Sequence, residues 1–151
     1  MDERVPRAAP RSPFEHVIRV GWGDCDPANI AYTARLPAFA LEAIDAWWEH
    51  ELGHGWFQIN NDVGFGTPFV HLDLDFTHPV TPRHRLVCRV VPTRLGETSL
   101  SFRVSGFQNG TLCFEGNFTC VIVDKNFAKQ LPPEPFLSRI RALIAAAEAT
   151  A

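Results

Sequence analysis

The chain has 151 residues, a formal net charge of −3 and 46 % apolar residues. One domain with a real core is expected at this length, and the charge balance carries no nucleic-acid signature. No apolar run approaches the ~20 residues of a membrane span, so no membrane partner is expected.

The first residues, Met1-Asp2-Glu3-Arg4-Val5-Pro6, are acidic and broken by proline, without the apolar core of a signal peptide. Residues 1–13 are expected to form a flexible arm and residues 14–151 a single domain. Cys25, Cys88, Cys113 and Cys120 lack the compact spacing of a zinc site. With no export signal in view, reduced thiols and a cytoplasmic location are expected.

Residues 14–22 read as a first strand, carrying β-branched Val17, Ile18 and Val20. The polar turn Gly23-Asp24-Cys25-Asp26-Pro27-Ala28-Asn29-Ile30 follows. A helix is predicted over 33–52, with Thr33 as N-cap, Pro37 tolerated in the first turn, and Gly53 and Gly55 ending it. Leu36, Phe39, Ala40, Ala43, Ile44, Trp47 and Trp48 make its apolar face, and Glu42, Asp45 and Glu49 lie opposite.

Four strands are predicted over 69–78, 83–93, 98–108 and 111–124. In the second, Leu86, Cys88 and Val90 face one way and Arg85, Val87 and Arg89 the other. Leu100, Phe102 and Val104 repeat this in the third, and Leu112, Phe114, Phe118, Cys120 and Ile122 in the fourth. Asn109-Gly110 is a hairpin signal, and Leu95-Gly96-Glu97 a second tight turn. A closing helix over 136–149 would turn Leu137, Ile140 and Ile144 inward. The expected class is α+β, with one helix wrapped by a curved antiparallel sheet whose edges a second subunit would satisfy. Twelve Phe and four Trp against one Tyr exceed the needs of one small core, so some are expected at a pocket or an interface.

The layout and the segments Gly23-Asp24-Cys25-Asp26-Pro27-Ala28, Ile30 and Gly66-Thr67-Pro68-Phe69-Val70 resemble the hotdog-fold thioesterases, in particular the bacterial 4-hydroxybenzoyl-CoA thioesterase family. The resemblance implies a hotdog fold, a long central helix wrapped by a five-stranded antiparallel sheet. It implies hydrolysis of an acyl-CoA thioester, aryl-CoA by preference, to the free acid and coenzyme A. Coenzyme A is then part of the substrate, with no separate cofactor and no metal. A homodimer is implied as the minimal active unit, with a homotetramer as the expected assembly. Asp26 takes the place of the catalytic carboxylate, the Thr33 N–H that of the donor polarising the carbonyl, and Thr67 lies near the reacting centre from the other subunit. Asn29, Tyr32, Gly66 and Pro68 fall to substrate binding. Two departures stand out: Asn29 replaces the usual glycine and Thr33 a common aromatic. Both count against a strict 4-hydroxybenzoyl assignment.

A thioester needs a nucleophile and oxyanion stabilisation, while the thiolate leaves without a strong acid. A donor such as the Thr33 N–H contributes about 3–4 kcal/mol to the transition state. Asp26 either attacks the carbonyl to form a mixed anhydride or activates a water; the sequence leaves both open. The plainer readings are that Asp26 and Asp24 only hold the turn and that Cys25 is a small packed thiol. His50 and His54 are four apart without a third ligand. No histidine adjoins the turn to suit a hotdog hydratase. Arg83, Arg85, Arg89, Arg103, Lys125 and Lys129 are candidates for coenzyme A phosphates. Trp47, Trp48, Trp56, Phe57 and Phe65 suit core packing or an acyl pocket. The alternatives are an acyl-carrier-protein thioesterase and a non-catalytic acyl-CoA-binding hotdog protein.

Overall fold

The computed structural model describes residues 5–6, 8–10 and 12–150. Residues 1–4, 7 and 11 of the expected arm lie outside the described residues, as does residue 151. Five strands, β1 (Phe14–Ile18), β2 (Phe69–Phe76), β3 (Leu86–Leu95), β4 (Ser99–Gln108) and β5 (Thr111–Val121), form one sheet in the order β1-β3-β4-β5-β2. Every pairing is antiparallel. The helix α1 spans Arg35–Leu52, a short turn α2 covers Trp56–Gln58, and α3 spans Phe136–Thr150. No described helix is long and apolar enough to cross a membrane.

Apolar residues recurring at three- and four-residue intervals make α1 one-sided. Leu36, Phe39, Ala40, Ala43, Ile44, Trp47, Trp48 and Leu52 are all buried on the face turned to the sheet. Trp47 crosses Trp48 edge-on at 5.3 Å and Phe102 of β4 at 4.9 Å. Burying the apolar surface of each indole contributes about 5 kcal/mol relative to exposure, offset by about 1–3 kcal/mol because the buried Nε1–H of each has no hydrogen-bond partner among the described residues. Gly53 ends α1 at φ 78°, the left-handed cap expected of it. Its polar face is engaged: Glu42 Oε2 lies 2.8 Å from His16 Nε2, and Asp45 Oδ1 accepts the Trp56 N–H at 2.8 Å.

Several local expectations need correction. Thr33 is not the N-cap; Ala34 holds that position without a side-chain bond. The Tyr32 N–H is drawn to Asp24 O at 2.8 Å, which bends residues 32–33 out of the helix. β1 is shorter than 14–22, because Trp22–Asp24 turns as a 3-10 helix. The region after Gly55, assigned no element from sequence, forms α2 and a π-helical turn over Ile59–Val63 that buries Ile59. Phe57 is exposed and leaves the expected aromatic cluster. In α3 the buried stripe is Phe136, Ile140, Leu143 and Ala147, with Leu137 and Ile144 only half-buried. Leu112 drops out of the β5 rhythm because the register slips between Gly106 and Phe107, which buries Cys113 instead.

Asn109 and Gly110 take φ 48° and 77°, the pair of positive angles that a two-residue hairpin requires. At Gly116 the strands approach so closely that a Cβ would lie 1.8 Å from Asp73 O. α3 is tied to α1 by Arg139. Its Nε donates to Glu51 O at 3.1 Å, its Nη2 to Glu51 Oε2 at 3.1 Å, and its Nη1 to Ala8 O at 2.8 Å. β1 and β2 are the sheet edges. On β2, Val70, Leu72 and Phe76 are exposed, and a hydrogen bond from His71 holds the Asp73 carboxyl below its ordinary value.

Candidate active site

The polar turn leaves the end of β1 and delivers the chain to α1. Asp24 Oδ2 accepts the Gly21 N–H at 2.8 Å, and Asp24 Oδ1 faces Arg35 Nε at 3.4 Å. Asp24 therefore holds the turn together by accepting a backbone N–H and facing Arg35. Cys25 pairs with Ala31 across the loop, and Ala31 N–H donates to Val80 O at 2.7 Å, tying the loop to the segment before β3. Asp26 N–H donates to Ile30 O at 3.0 Å and Asn29 N–H to Asp26 O at 2.9 Å. Asn29 takes φ 66°, a region its short polar side chain tolerates.

Asp26 is half-buried. Its Oδ1 accepts the Ala28 N–H at 2.9 Å, so it does cap the turn. Its Oδ2 accepts no hydrogen bond from the described residues, and the Thr33 N–H donates to none. Tyr32 and Thr33 are both exposed. The turn thus holds one uncommitted carboxylate oxygen and one uncommitted amide donor on the same bonded loop.

Gly66, Thr67 and Pro68 stand elsewhere, at the entry to β2. Gly66 exchanges two backbone bonds with Val123, at 2.9 and 3.0 Å, and Pro68 O accepts the Val121 N–H at 2.9 Å. This pins the segment against the end of β5 and buries Thr67. All three residues line a cavity of about 520 Å³, walled also by Trp56, Phe65 and Phe69 and by Val123, Lys125 and Phe127. No residue of the Asp26 turn contributes to its wall. Within one chain the two groups of predicted residues remain apart. Phe127 and the turn after β5 went unnoticed in the sequence as a pocket wall, although Asp124-Lys125-Asn126 is a readable turn signal.

The predicted cations divide. Arg89 pairs with Glu15 at 2.8 Å and lies over the Phe107 ring, and Arg103 is taken up by Glu115 and Asn117. The side chains of Arg83, Arg85, Lys125 and Lys129 have no partner among the described residues. All four thiols are unpaired; burial pushes Cys88 and Cys120 up to about 12 and raises Cys113. His54 Nδ1 lies 3.3 Å from Leu52 O and His50 stacks near Phe14. No group of three or more potential metal ligands occurs among the described residues.

The sequence pattern of the Thioesterase-like superfamily matches residues 20–140. A search of curated protein sequences returned no match. Among solved structures, a thioesterase superfamily protein from Jannaschia sp. CCS1 is 52 % identical, with a TM-score of 0.80 over 94 % of this chain and 97 % of that one. The fold is also similar to that of a 1,4-dihydroxy-2-naphthoyl-CoA thioesterase from Synechocystis, at 21 % identity and a TM-score of 0.78 over 86 % and 96 % of the two chains. It is similar as well to BH1999 gentisyl-coenzyme A thioesterase, at 22 % identity and a TM-score of 0.73 over 85 % and 99 %. The five-stranded antiparallel sheet with a helix packed against it is the hotdog arrangement of these proteins, and the chain belongs to the Thioesterase-like superfamily.

Proposed function

We propose that this protein hydrolyses an acyl-CoA thioester, aryl-CoA by preference, with Asp26 as the working carboxylate. The observation that carries the reading is the pairing on one loop of an uncommitted Asp26 Oδ2 with an uncommitted Thr33 N–H. Family membership supports the reaction class, and the naphthoyl-CoA and gentisyl-CoA thioesterases of similar fold support an aryl substrate. In this reading α1 is the central helix that the sheet wraps, and its approach is where the acyl oxygen binds.

In direct attack, Asp26 Oδ2 bonds to the acyl carbon while the carbonyl π electrons move onto the oxygen, to which the Thr33 N–H donates a hydrogen bond. Collapse expels coenzyme A as thiolate, and water then cleaves the mixed anhydride. In the alternative, Asp26 takes a proton from water as that water's oxygen bonds to the acyl carbon, and collapse breaks the C–S bond to release the free acid and the coenzyme A thiolate. A single turnover in ¹⁸O-water identifies the first route when water opens the anhydride at the Asp26 Cγ: the label then enters Asp26 and an aspartate oxygen leaves in the acid, an outcome the second route never gives.

The working unit is read as a homodimer that pairs further into a homotetramer. An edge strand with exposed Val70, Leu72 and Phe76 favours association. A second copy would bring one chain's turn to the other's Thr67, with Asn29, Tyr32, Gly66 and Pro68 around the substrate. Sedimentation of the purified chain tests this, a monomer counting against it.

Asp26→Asn is the direct test of the chemistry. The amide oxygen can still accept the Ala28 N–H, so the melting temperature should hold while kcat on benzoyl-CoA falls by at least about 100-fold. Full activity in this variant refutes the role of Asp26. Turnover confined to acyl groups on a carrier protein would move the substrate to that class. Binding of acyl-CoA without hydrolysis would make the chain a binding protein.

A further inference from the structure

The turn after β5 carries a residue in a conformation that its type avoids. Phe127 has φ 63°, the left-handed region that a bulky L-residue rarely enters. The turn is bonded on every side. Asp124 Oδ1 accepts the N–H groups of Asn126 at 2.8 Å and Ala128 at 3.0 Å, Phe127 N–H donates to Asp124 O at 3.1 Å, and Asp124 N–H to Ala128 O at 2.9 Å. The ring gains nothing from the core in return, being 76 % exposed and without a partner among the described residues. Backbone strain maintained around an unburied aromatic calls for a use outside stability.

Its position supplies one. Phe127 lines the cavity that Thr67 lines. Trp56 and Phe69 form further walls, edge to face at 5.8 Å, and Phe65 another. Lys125 lies beside Gly64, where an added Cβ would come within 3.3 Å of its Cε. Its ammonium has no ion pair or hydrogen bond among the described residues. The neighbouring Asp124 has already spent one oxygen on the turn amides. Four aromatic walls with one uncommitted cation suit a flat ring that carries a negative group. A single ammonium, with the Asp124 carboxylate on the same cavity wall, is a poor match for the several negative charges of the nucleotide end of coenzyme A.

We propose that this cavity seats the aryl group of the thioester, with Phe127 packing over the ring and Lys125 pairing with an anionic ring substituent. The assignment deepens, and rests on, the reading of the chain as an aryl-CoA hydrolase. It makes Phe127 and Lys125 specificity-determining rather than catalytic.

The test is binding without turnover. A phenacyl thioether of coenzyme A, which has no bond to hydrolyse, is titrated calorimetrically into the intact chain, unsubstituted and with a 4-carboxylate. Phe127→Gly should fold with a melting temperature at or above wild type, since glycine adopts this φ freely. It should weaken both probes by about tenfold, the upper range for a lost ring pair. Lys125→Ala should weaken only the carboxylated probe, by about threefold for a rim ion pair. Coenzyme A alone should bind all three proteins equally. Unchanged affinity in both variants overturns the proposal. So does an equal loss for coenzyme A alone, which would assign the cavity to the nucleotide. A change in oligomeric mass without a change in binding also overturns it and makes Phe127 a subunit contact. The two readings fail separately. Hydrolysis with unaltered KM in both variants sinks the cavity assignment alone. The predicted binding losses in a chain that never hydrolyses sink the hydrolase reading alone.

Discussion

Arg139 joins two helices through one buried guanidinium, and its removal has a calculable cost. Arg139→Ala deletes three hydrogen bonds: two to Glu51, each at 3.1 Å, and one to Ala8 O at 2.8 Å. The loss of the arginine matters less than what it leaves behind. Glu51 is only 3 % exposed, and its only charged partner is Arg139 among the described residues. A carboxylate stranded in this way costs about 3–5 kcal/mol. At about 2–4 °C per kcal/mol for a chain of this size, the melting temperature should fall by on the order of 10 °C. The companion is Glu51→Leu with Arg139→Met, which removes both charges and fills the space; such replacements of a buried pair are often neutral, so most of the loss should return. Urea unfolding followed by near-ultraviolet circular dichroism measures both variants. A loss under about 1 kcal/mol in Arg139→Ala refutes the reasoning, as does a double variant no better than the single one. Glu51 lies in the last turn of α1, away from Thr33, so kcat per folded molecule should not change.

Two further perturbations probe the sheet and the thiols. Gly116→Ala would set a methyl 1.8 Å from Asp73 O and 2.9 Å from Leu74 Cα, backbone atoms that move only if β2 leaves β5. A loss of about 3 kcal/mol or more is expected in urea unfolding, and an unchanged midpoint would disprove the close approach. Ellman's reagent near pH 8 should label Cys25 alone in the folded chain and all four cysteines in denaturant, because Cys88, Cys113 and Cys120 are buried and hold their protons. The sign for stability follows: an unfolded thiol ionises near its ordinary value while folded Cys88 waits until about 12. The folded state loses ground as pH rises through that window, so any stability advantage of wild type over Cys88→Ala should shrink between pH 8 and 10.

Local structure is legible in the sequence where one short segment carries both cause and effect. Asn109-Gly110 demands positive φ at two adjacent residues and obtains it. The three- and four-residue spacing from Leu36 to Trp48 can bury one face only as a helix, and it does. Local preference gives way where a distant group competes for the same backbone or side chain. Thr33 is a good capping residue, yet Asp24 O captures the Tyr32 N–H and delays the helix to Arg35. Phe57 belongs by type to the core, but α2 turns it outward. At the candidate site, the Asp26 turn was legible because its chemistry and its backbone bonds fall within a few residues of one another. The cavity was not, because residues 56–69 and 123–127 are far apart in the chain and meet through tertiary contacts such as the pairing of Gly66 with Val123.

Amino-acid order alone determined the alternation that makes the strands, the one-sided helix, the hairpin and the acidic turn between β1 and α1. Each depends on side-chain spacing and on φ preferences within a few residues. Tertiary structure alone decided which carboxylate oxygen stays unbonded, which cations are already paired, that Glu51 needs Arg139 across 88 positions, and that Phe127 overlooks a cavity. Those outcomes depend on which distant atoms come within hydrogen-bonding or van der Waals distance. Only the folded chain, with its loop closures made and its water expelled, specifies those distances.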